Sequence, residues 1–171
     1  MSNELPVALV VRAATDDEFE RVGELVVGAY RVAGHLEKEH GYDVVLRDVR
    51  ARARWGPVLV ATPADDQTTI LGSATICPSG TPYAEIARAD ETEIRFVAVA
   101  PTSVRLGIAR TLVNACIDHA RDAGHHAVVL SVIDWNDPGH RLYEAMGFTR
   151  VFERDWNPVP DVSLNVFELV L

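Results

Sequence analysis

In the first part of the chain, the alternation of apolar and polar positions predicts strands and helices in turn. An apolar run over residues 7–11 predicts a strand. Thr15 and the three acidic residues after it predict a helix start, and apolar residues at three- and four-residue steps extend this helix to about Tyr30. Residues 31–42 contain two glycines and two histidines and predict a loop, followed by a second helix over about 43–54.

The middle of the chain predicts a hairpin, a strand and a long helix. Two β-rich runs, 58–62 and 69–77, are separated by residues of turn composition and predict antiparallel strands. Apolar and β-branched residues over 91–99 predict another strand, which ends before Pro101. Apolar residues that recur every four positions over 104–123 predict a helix.

The last part of the chain predicts shorter elements. A buried-type apolar run over 127–133 predicts a strand, and residues 138–146 predict a short helix that begins with proline. Another strand is expected from Gly147. The chain then ends in a hairpin, with residues 157–160 in its connection and 164–171 as its last strand.

These elements predict an α/β protein with a mixed sheet, folded as one domain over residues 1–171. The chain has 171 residues, of which 48% are hydrophobic and 24% are charged. This composition is typical of a soluble globular protein with a sizeable core. A single lysine among frequent Ala, Val, Arg and Asp residues is typical of a GC-rich bacterial genome.

Charge and cysteine content exclude several classes of protein. A net charge of −9 argues against a binder of nucleic acid or of anionic membranes. Cys77 and Cys116 are too few for a disulfide framework, and we interpret both as small core residues. No apolar run approaches the ~20 residues that a membrane span needs, and no signal-peptide pattern is present, so we expect a cytoplasmic protein. The spacing of histidine, cysteine and acidic residues predicts no metal site.

The junction between the predicted strand at 91–99 and the long helix has the composition of an anion site. Gly107 and Ala109 are small enough for a polyanion to approach the backbone amides at the helix N-terminus, and Arg105 and Arg110 add positive charge. A pyrophosphate fits such a site. Taken alone, the stretch is as consistent with an ordinary strand–turn–helix unit that carries surface arginines.

A second motif follows the strand at 127–133, with the sequence NDPGHRLYEAMGF from Asn136 to Phe148. Together and in this order, the two motifs resemble those of the GNAT superfamily of N-acetyltransferases, Q/R-x-x-G-x-G/A and N-x-x-A-x-x-L-Y-x-x-x-G-F. The resemblance implies a central, mostly antiparallel six- to seven-stranded sheet with about four helices, and acetyl-CoA as cosubstrate. The chain departs from the family pattern at Val104, which takes the first position of the turn motif, and at Gly139, which replaces an alanine.

The resemblance also implies roles for single residues. The pantetheine arm of acetyl-CoA would bind the backbone of a strand at Val97, Ala98 and Val99. Asn136 would contact the cofactor, and Tyr143 would donate a proton to the departing thiolate, since a phenol has a higher pKa than a thiol. The pyrophosphate would bind the backbone amides of six consecutive residues: Arg105, Leu106, Gly107, Ile108, Ala109 and Arg110.

An acceptor amine must lose a proton before it attacks the thioester, so a general base is needed. Glu93 is our candidate because it lies on the predicted strand 91–99, where a bulge of the family type would direct it toward the acceptor. Glu91 is the rival. Some family members carry a carboxylate five residues before the asparagine, but that position is Ser131 here. A solvated, non-catalytic carboxylate is an equally open interpretation of Glu93.

Loops are expected to bind the acceptor, because loops on a rigid scaffold usually carry specificity. The segments concerned are 31–42, 77–90 and 155–163. Their candidate lining residues, together with a tyrosine at the end of the first helix, are Tyr30, His35, His40, Tyr42, Tyr83 and Trp156.

The resemblance implies transfer of an acetyl group to a primary amine of a small molecule or peptide by direct attack on the thioester. Two alternatives remain: a non-catalytic module that binds or senses acyl-CoA, and an acyltransferase with another acyl donor or a hydroxyl acceptor. Related domains often dimerise, so a homodimer is possible. The acidic composition favours a cationic acceptor.

Overall fold

The computed structural model describes residues 8–171, and the predicted strand residue Val7 lies outside them. Eight strands form one sheet in the order β1-β2-β3-β4-β5-β8-β6, with β7 paired to β8. The strands are β1 (Leu9–Ala13), β2 (Val58–Pro63), β3 (Gly72–Pro78), β4 (Glu91–Val99), β5 (Ala127–Ile133), β6 (Thr149–Arg150), β7 (Trp156–Val159) and β8 (Val162–Val170). The α-helices are α1 (Phe19–Val32), α2 (Tyr42–Arg47), α3 (Val49–Ala53), α4 (Ile108–Asp122) and α5 (Asp137–Ala145).

The predicted mixed, mostly antiparallel sheet is confirmed. Among the described strand pairs, β4–β5 is parallel and the others are antiparallel. The sheet has eight strands rather than six or seven, because the C-terminal part contributes the short strands β6 and β7. There are five α-helices rather than about four, because the predicted helix over 43–54 breaks at Asp48, whose carboxylate accepts the Ala51 N–H and caps α3.

Several other boundaries differ from the prediction, two of them for a clear reason in the backbone. The α4 helix begins at Ile108 rather than at 104, because Arg105 and Gly107 have positive φ values of 67° and 75°. The predicted hairpin connection, 157–160, lies largely in β7, and the turn is confined to the two residues before Val162. A proline inside β7 is tolerated because this short strand has β8 as its partner on one side.

Helices cover both faces of the sheet, so that two apolar cores form. On one face, the buried stripe of α4 packs on the sheet through residues such as Leu112 and Cys116. On the other face, α1, α2 and α3 enclose Val26, Leu46 and Val49. Within residues 8–171, no helix is both long and apolar enough to cross a membrane.

Candidate active site

A bulge in β4 changes which way its side chains point. Ser73 pairs with Ala98 and Thr75 with Arg95, so β4 carries one more residue than β3 between these pairs. Phe96, inside this interval, has a positive φ of 55°. As a result Ile94 faces the core under α4, whereas Phe96, two residues later, faces the core under α1.

The ring of Phe96 is held from several sides. The guanidinium carbons of Arg52 and Arg95 both lie 4.7 Å from its centroid, and Tyr83 meets it edge-on. Arg52 is almost completely buried, and burial lowers the pKa of its guanidinium. Of its nitrogens, Nη1 donates to the carbonyls of Val45 and Leu46, while Nε and Nη2 are without partners among the described residues. These contacts stabilise an unfavourable backbone conformation at the bulge.

Beyond the bulge, β4 and β5 separate. Their parallel pairing covers only Glu91 to Ile94 on β4, and the rest of β4 pairs with β3 alone. Ala98 pairs with Ser73, and the Ala100 N–H donates to the Leu71 carbonyl. Because backbone directions alternate along a strand, the N–H and C=O groups of the residues at 97 and 99 point into the gap between β4 and β5.

The turn before α4 offers a set of free amides at one end of this gap. The positive φ values of Arg105 and Gly107 fold residues 104–107 into an exposed loop. In the described chain, the N–H groups of residues 105–110 donate to no main-chain carbonyl, and the first bond of the α4 turn runs from the Thr111 N–H to the Gly107 carbonyl at 3.0 Å. Free amides at the positive end of a helix bind anions, and phosphate groups in particular.

The gap continues into a cavity of about 670 Å³. Its walls come from β4, β5, β7, β8, α1, α2 and α5 and from the loops beside them. The lining includes the candidate base and all of the predicted strand and motif positions. These residues are Glu93, the strand residues Val97, Ala98 and Val99, and the motif residues Asn136 and Tyr143.

Tyr143 lies on α5 with its side chain buried against the core. Its ring packs edge-on against Phe148, with the centroids 5.6 Å apart. Within residues 8–171 its hydroxyl makes no hydrogen bond, so this oxygen is available to a molecule in the cavity. Burial raises the pKa of the phenol well above its ordinary value of 10, which keeps it protonated.

Asn136 caps the helix that carries Tyr143. Its Oδ1 accepts the Gly139 N–H at 3.1 Å. A Cβ atom at position 139 would lie 2.7 Å from Asn136 Nδ2, so the glycine allows the asparagine side chain to fold over the helix start. The Nδ2 group remains free to donate to a molecule in the cavity, which the asparagine also lines.

Glu93 is almost completely buried, and its two carboxylate oxygens have different surroundings. Oε2 accepts three backbone N–H groups, from residues 85–87, at 2.8, 2.9 and 3.1 Å. Oε1 makes no hydrogen bond in the described part of the chain and lies 4.0 Å from Arg95 Nε. Burial raises the pKa of Glu93 above its ordinary value, while the backbone donors and Arg95 oppose this rise.

The rival carboxylate, Glu91, has other partners. It forms an ion pair with Arg154 at 2.8 Å and accepts the Arg88 N–H, and it does not belong to the described cavity lining. Ser131 lines the cavity, where its hydroxyl accepts the Trp156 Nε1–H at 3.1 Å. Of the predicted acidic candidates, Glu93 is therefore the one that a ligand in the cavity can reach.

All three predicted acceptor loops contribute to the cavity lining, but not through every predicted residue, and we call the part that they and the adjoining residues of β4 line the acceptor end. Tyr30, His35, Tyr42 and Trp156 line it, whereas His40 and Tyr83 are absent from its described lining. Three charged lining residues were not singled out from the sequence: Glu39, Glu85 and Arg95. The alternation of side chains along a strand would have indicated Arg95, two positions from Glu93. The histidine, cysteine and acidic side chains of residues 8–171 form no group of three suited to a metal ion.

Comparison with known proteins agrees with this geometry. A model of the acetyltransferase (GNAT) family matches residues 14–148. An uncharacterised N-acetyltransferase from Schizosaccharomyces pombe is 26% identical over 132 residues, which cover 73% of this chain and 77% of the relative. Mycothiol acetyltransferase from Thermomonospora curvata is 45% identical over 58 residues, and this match spans 34% of the chain but only 20% of that protein.

Solved structures show the same fold. A GCN5-related N-acetyltransferase from Kribbella flavida is 27% identical with a TM-score of 0.68, and the match covers 98% of this chain and 100% of that one. The yncA protein of Salmonella typhimurium, solved with acetyl-CoA, gives a TM-score of 0.69 at 22% identity and covers 96% and 94%. The family match confirms the predicted acetyltransferase class. Another structure of this fold, the paia N-acetyltransferase from Thermoplasma acidophilum, was solved with coenzyme A and gives a TM-score of 0.72 at 15% identity, covering 96% of this chain and 99% of that one. With the family match across most of its length, the splayed strands and the amide-rich turn, the chain belongs to the acetyltransferase (GNAT) family.

Proposed function

We propose that the protein transfers the acetyl group of acetyl-CoA to a primary amine of a small molecule or peptide, by direct attack of the amine on the thioester. The observation that carries this proposal is that the free hydroxyl of Tyr143 and the carboxylate of Glu93 line one cavity. That cavity opens between the separated strands β4 and β5 and leads toward the amides before α4.

The donor would be held mainly by the backbone. The pantetheine arm would bond to the peptide groups of Val97 and Val99, which point into the gap, while Ala98 would contribute its surface because its backbone pairs with β3. The pyrophosphate would accept hydrogen bonds from the amides of residues 105–110. Since these contacts use the main chain, the departure at Val104 removes a side-chain contact and leaves the principal donors in place.

In the proposed reaction, a bond forms between the amine nitrogen and the acetyl carbon while the carbon–sulfur bond breaks. Glu93 takes the proton that the amine loses, through Oε1 or a water molecule. Tyr143 stays protonated before the reaction because burial raises its pKa, and it donates its proton to the CoA thiolate as the carbon–sulfur bond breaks. Peptide groups of β4 stabilise the negative charge that develops on the acetyl oxygen.

Replacing the tyrosine tests catalysis separately from donor binding. In Tyr143→Phe we expect kcat to fall about 100-fold, the size typical for loss of a general acid. The dissociation constant for CoA, measured by calorimetry, should stay within about twofold, since the ring and its packing on Phe148 are kept. Thermal unfolding of the variant serves as the control for the fold.

The outcomes separate the proposed enzyme from its rivals. Lower turnover with unchanged CoA affinity supports an acetyltransferase that uses Tyr143 as general acid. Turnover equal to that of the unmodified protein would remove Tyr143 from the mechanism. CoA binding without turnover of any amine by the unmodified protein would overturn the proposed function in favour of a binding module.

A further inference from the structure

The acceptor end of the cavity carries an excess of negative charge. Its charged lining residues are three carboxylates and one guanidinium: Glu39, Glu85, Glu93 and Arg95. His35 does not redress this excess, because burial lowers the pKa of its imidazole and favours the neutral form.

The single guanidinium is already used by neighbouring groups. Arg95 Nη1 donates to the Tyr83 carbonyl at 2.8 Å and lies 3.4 Å from a carboxylate oxygen of Glu85. Its Nη2 donates to the Tyr42 hydroxyl at 3.4 Å, and its Nε lies 4.0 Å from Glu93. Arg95 therefore compensates the carboxylates at 85 and 93.

Glu39 makes no comparable direct contact with Arg95, whose charge acts on it only from a distance. Its carboxylate makes no hydrogen bond or ion pair with any residue that the structure describes, although it is half-buried in the cavity wall. Burial raises its pKa and the charge of Arg95 only partly offsets this rise, so ionisation of Glu39 has a cost there. A cation in the cavity would relieve that cost and gain a charge-assisted hydrogen bond.

The reacting amine cannot supply this cation. It must be neutral when it attacks, and its proton leaves through Glu93. A second amine on the same molecule, with an ordinary pKa near 10.4, stays protonated at neutral pH. Other parts of the cavity lining suit a hydrocarbon linker and a nearby cation, because they include aromatic and aliphatic side chains: Tyr30, Tyr42, Trp156, Pro158, Val162 and Leu164.

On the basis of the proposed function, we infer that the acceptor is an aliphatic diamine, of which one amine reacts beside Glu93 while the other, still protonated, pairs with Glu39. The same charges disfavour an acceptor with a carboxylate, such as a free amino acid. An acceptor with a single amine would leave Glu39 unpaired and bind more weakly.

Three acceptors of matched length test this inference: 1,4-diaminobutane, n-butylamine and 4-aminobutanoate. They place an ammonium, a methyl group and a carboxylate, respectively, at the end away from the reacting amine. We expect kcat/KM for the diamine to exceed that for butylamine by about tenfold or more, because the diamine gains one charge-assisted hydrogen bond. The aminobutanoate should have the lowest kcat/KM of the three. In calorimetric titrations in the presence of CoA, 1,4-diaminobutane should bind more tightly than n-butylamine.

A matched pair of variants locates the effect. Glu39→Gln should lower the ratio of kcat/KM for diaminobutane over butylamine about tenfold, because it removes the charge and keeps the shape. Glu37→Gln removes an equal charge from an exposed neighbour outside the described cavity lining and should keep the ratio of the unmodified protein. Thermal unfolding of both variants checks the fold.

The possible failures are distinguishable. Turnover of amines with a diamine ratio near one, or a Glu39→Gln ratio equal to that of Glu37→Gln, overturns the inference and leaves the proposed acetyl transfer standing. Absence of turnover with every amine, despite binding of acetyl-CoA, overturns the proposed function and the inference with it.

Discussion

The carboxylate of Glu93 accepts hydrogen bonds from a loop, and the same residue lines the cavity. Oε2 is fixed by the three amides of residues 85–87, while Oε1 makes no hydrogen bond within residues 8–171, and the residue lines the cavity. Its burial opposes ionisation and so raises its pKa, which brings a glutamate closer to the range useful for a general base. The loop contacts therefore position the carboxylate rather than compete with its proposed role.

This arrangement predicts a specific dependence of activity on pH. Glu93 accepts a proton only when ionised, and its pKa is raised, so kcat/KM should fall as the pH drops through a value above that of an exposed glutamate. Glu93→Gln should lower kcat about 100-fold and abolish the fall of kcat/KM at low pH, which we call the acid limb of the profile. The amide oxygen of the glutamine keeps the contacts with the loop. Glu144→Gln, on an exposed part of α5, is the matched control and should retain the limb. A Glu93→Gln profile with an unchanged acid limb would exclude Glu93 as the base.

Some residue-level features were predictable from the sequence and others were not. The resemblance of the motif around Asn136 and Tyr143 to the family pattern indicated both cavity residues, which lie at the start of α5 and within it. The clamp of Arg52 and Arg95 on Phe96 was not predictable, since it joins α3 to a bulge whose position depends on pairing between β3 and β4. Sequence reasoning can anticipate a bulge but not the side chain that stabilises it.

Among the elements, the entry to α1 depends on one ion pair. Glu18 is almost buried, accepts the Thr15 N–H at 2.9 Å and binds the guanidinium of Arg12 on β1 at 2.7 Å. These contacts lower the pKa of Glu18 to about 2, with the hydrogen bond from Arg12 as the largest cause. They fasten the start of the helix to the first strand.

Glu18→Gln should destabilise the protein by about 1–2 kcal/mol at pH 7, the value of lost charge-assisted hydrogen bonds. Because the pKa is lower in the folded than in the unfolded protein, the stabilisation is present above pH 4.5 and is lost as the pH falls toward about 2. Urea unfolding at pH 7 and pH 3 measures this change, with Glu20→Gln on the exposed face as control. An equal difference in unfolding free energy at both pH values would contradict the account.

The ends of helices and strands differ from the prediction where the backbone conformation, rather than the spacing of apolar residues, decides where an element begins or ends. The apolar spacing of α4 extends back to 104, but left-handed residues at Arg105 and Gly107 start the helix later and free the amides of the turn. The free amides therefore lie at the junction where the sequence predicts an anion site, before a shorter helix than predicted. The N–P–V–P sequence has the composition of a connection, yet it lies mostly in β7, because an edge strand tolerates proline.

At the scale of the whole molecule, the order of strands and helices was predictable and the cavity was not. Periodicity and turn residues follow local rules, so they indicated the mixed sheet. The charges of the acceptor end come from a loop before α2, a loop before β4 and β4 itself, which meet only in the folded chain. The net charge of −9 favours a cationic acceptor, and the inferred diamine would place its cation beside Glu39 in the cavity wall.

The most direct test of acetyl transfer by this protein is to incubate the purified protein with acetyl-CoA and a panel of primary amines, and to quantify free CoA thiol and acetylated amine together. We predict that both products form in equal amounts for at least one amine, and only when protein is present, because each transfer breaks one thioester and forms one amide. Binding of acetyl-CoA with no acetylated amine, or no binding of acetyl-CoA at all, would contradict the account.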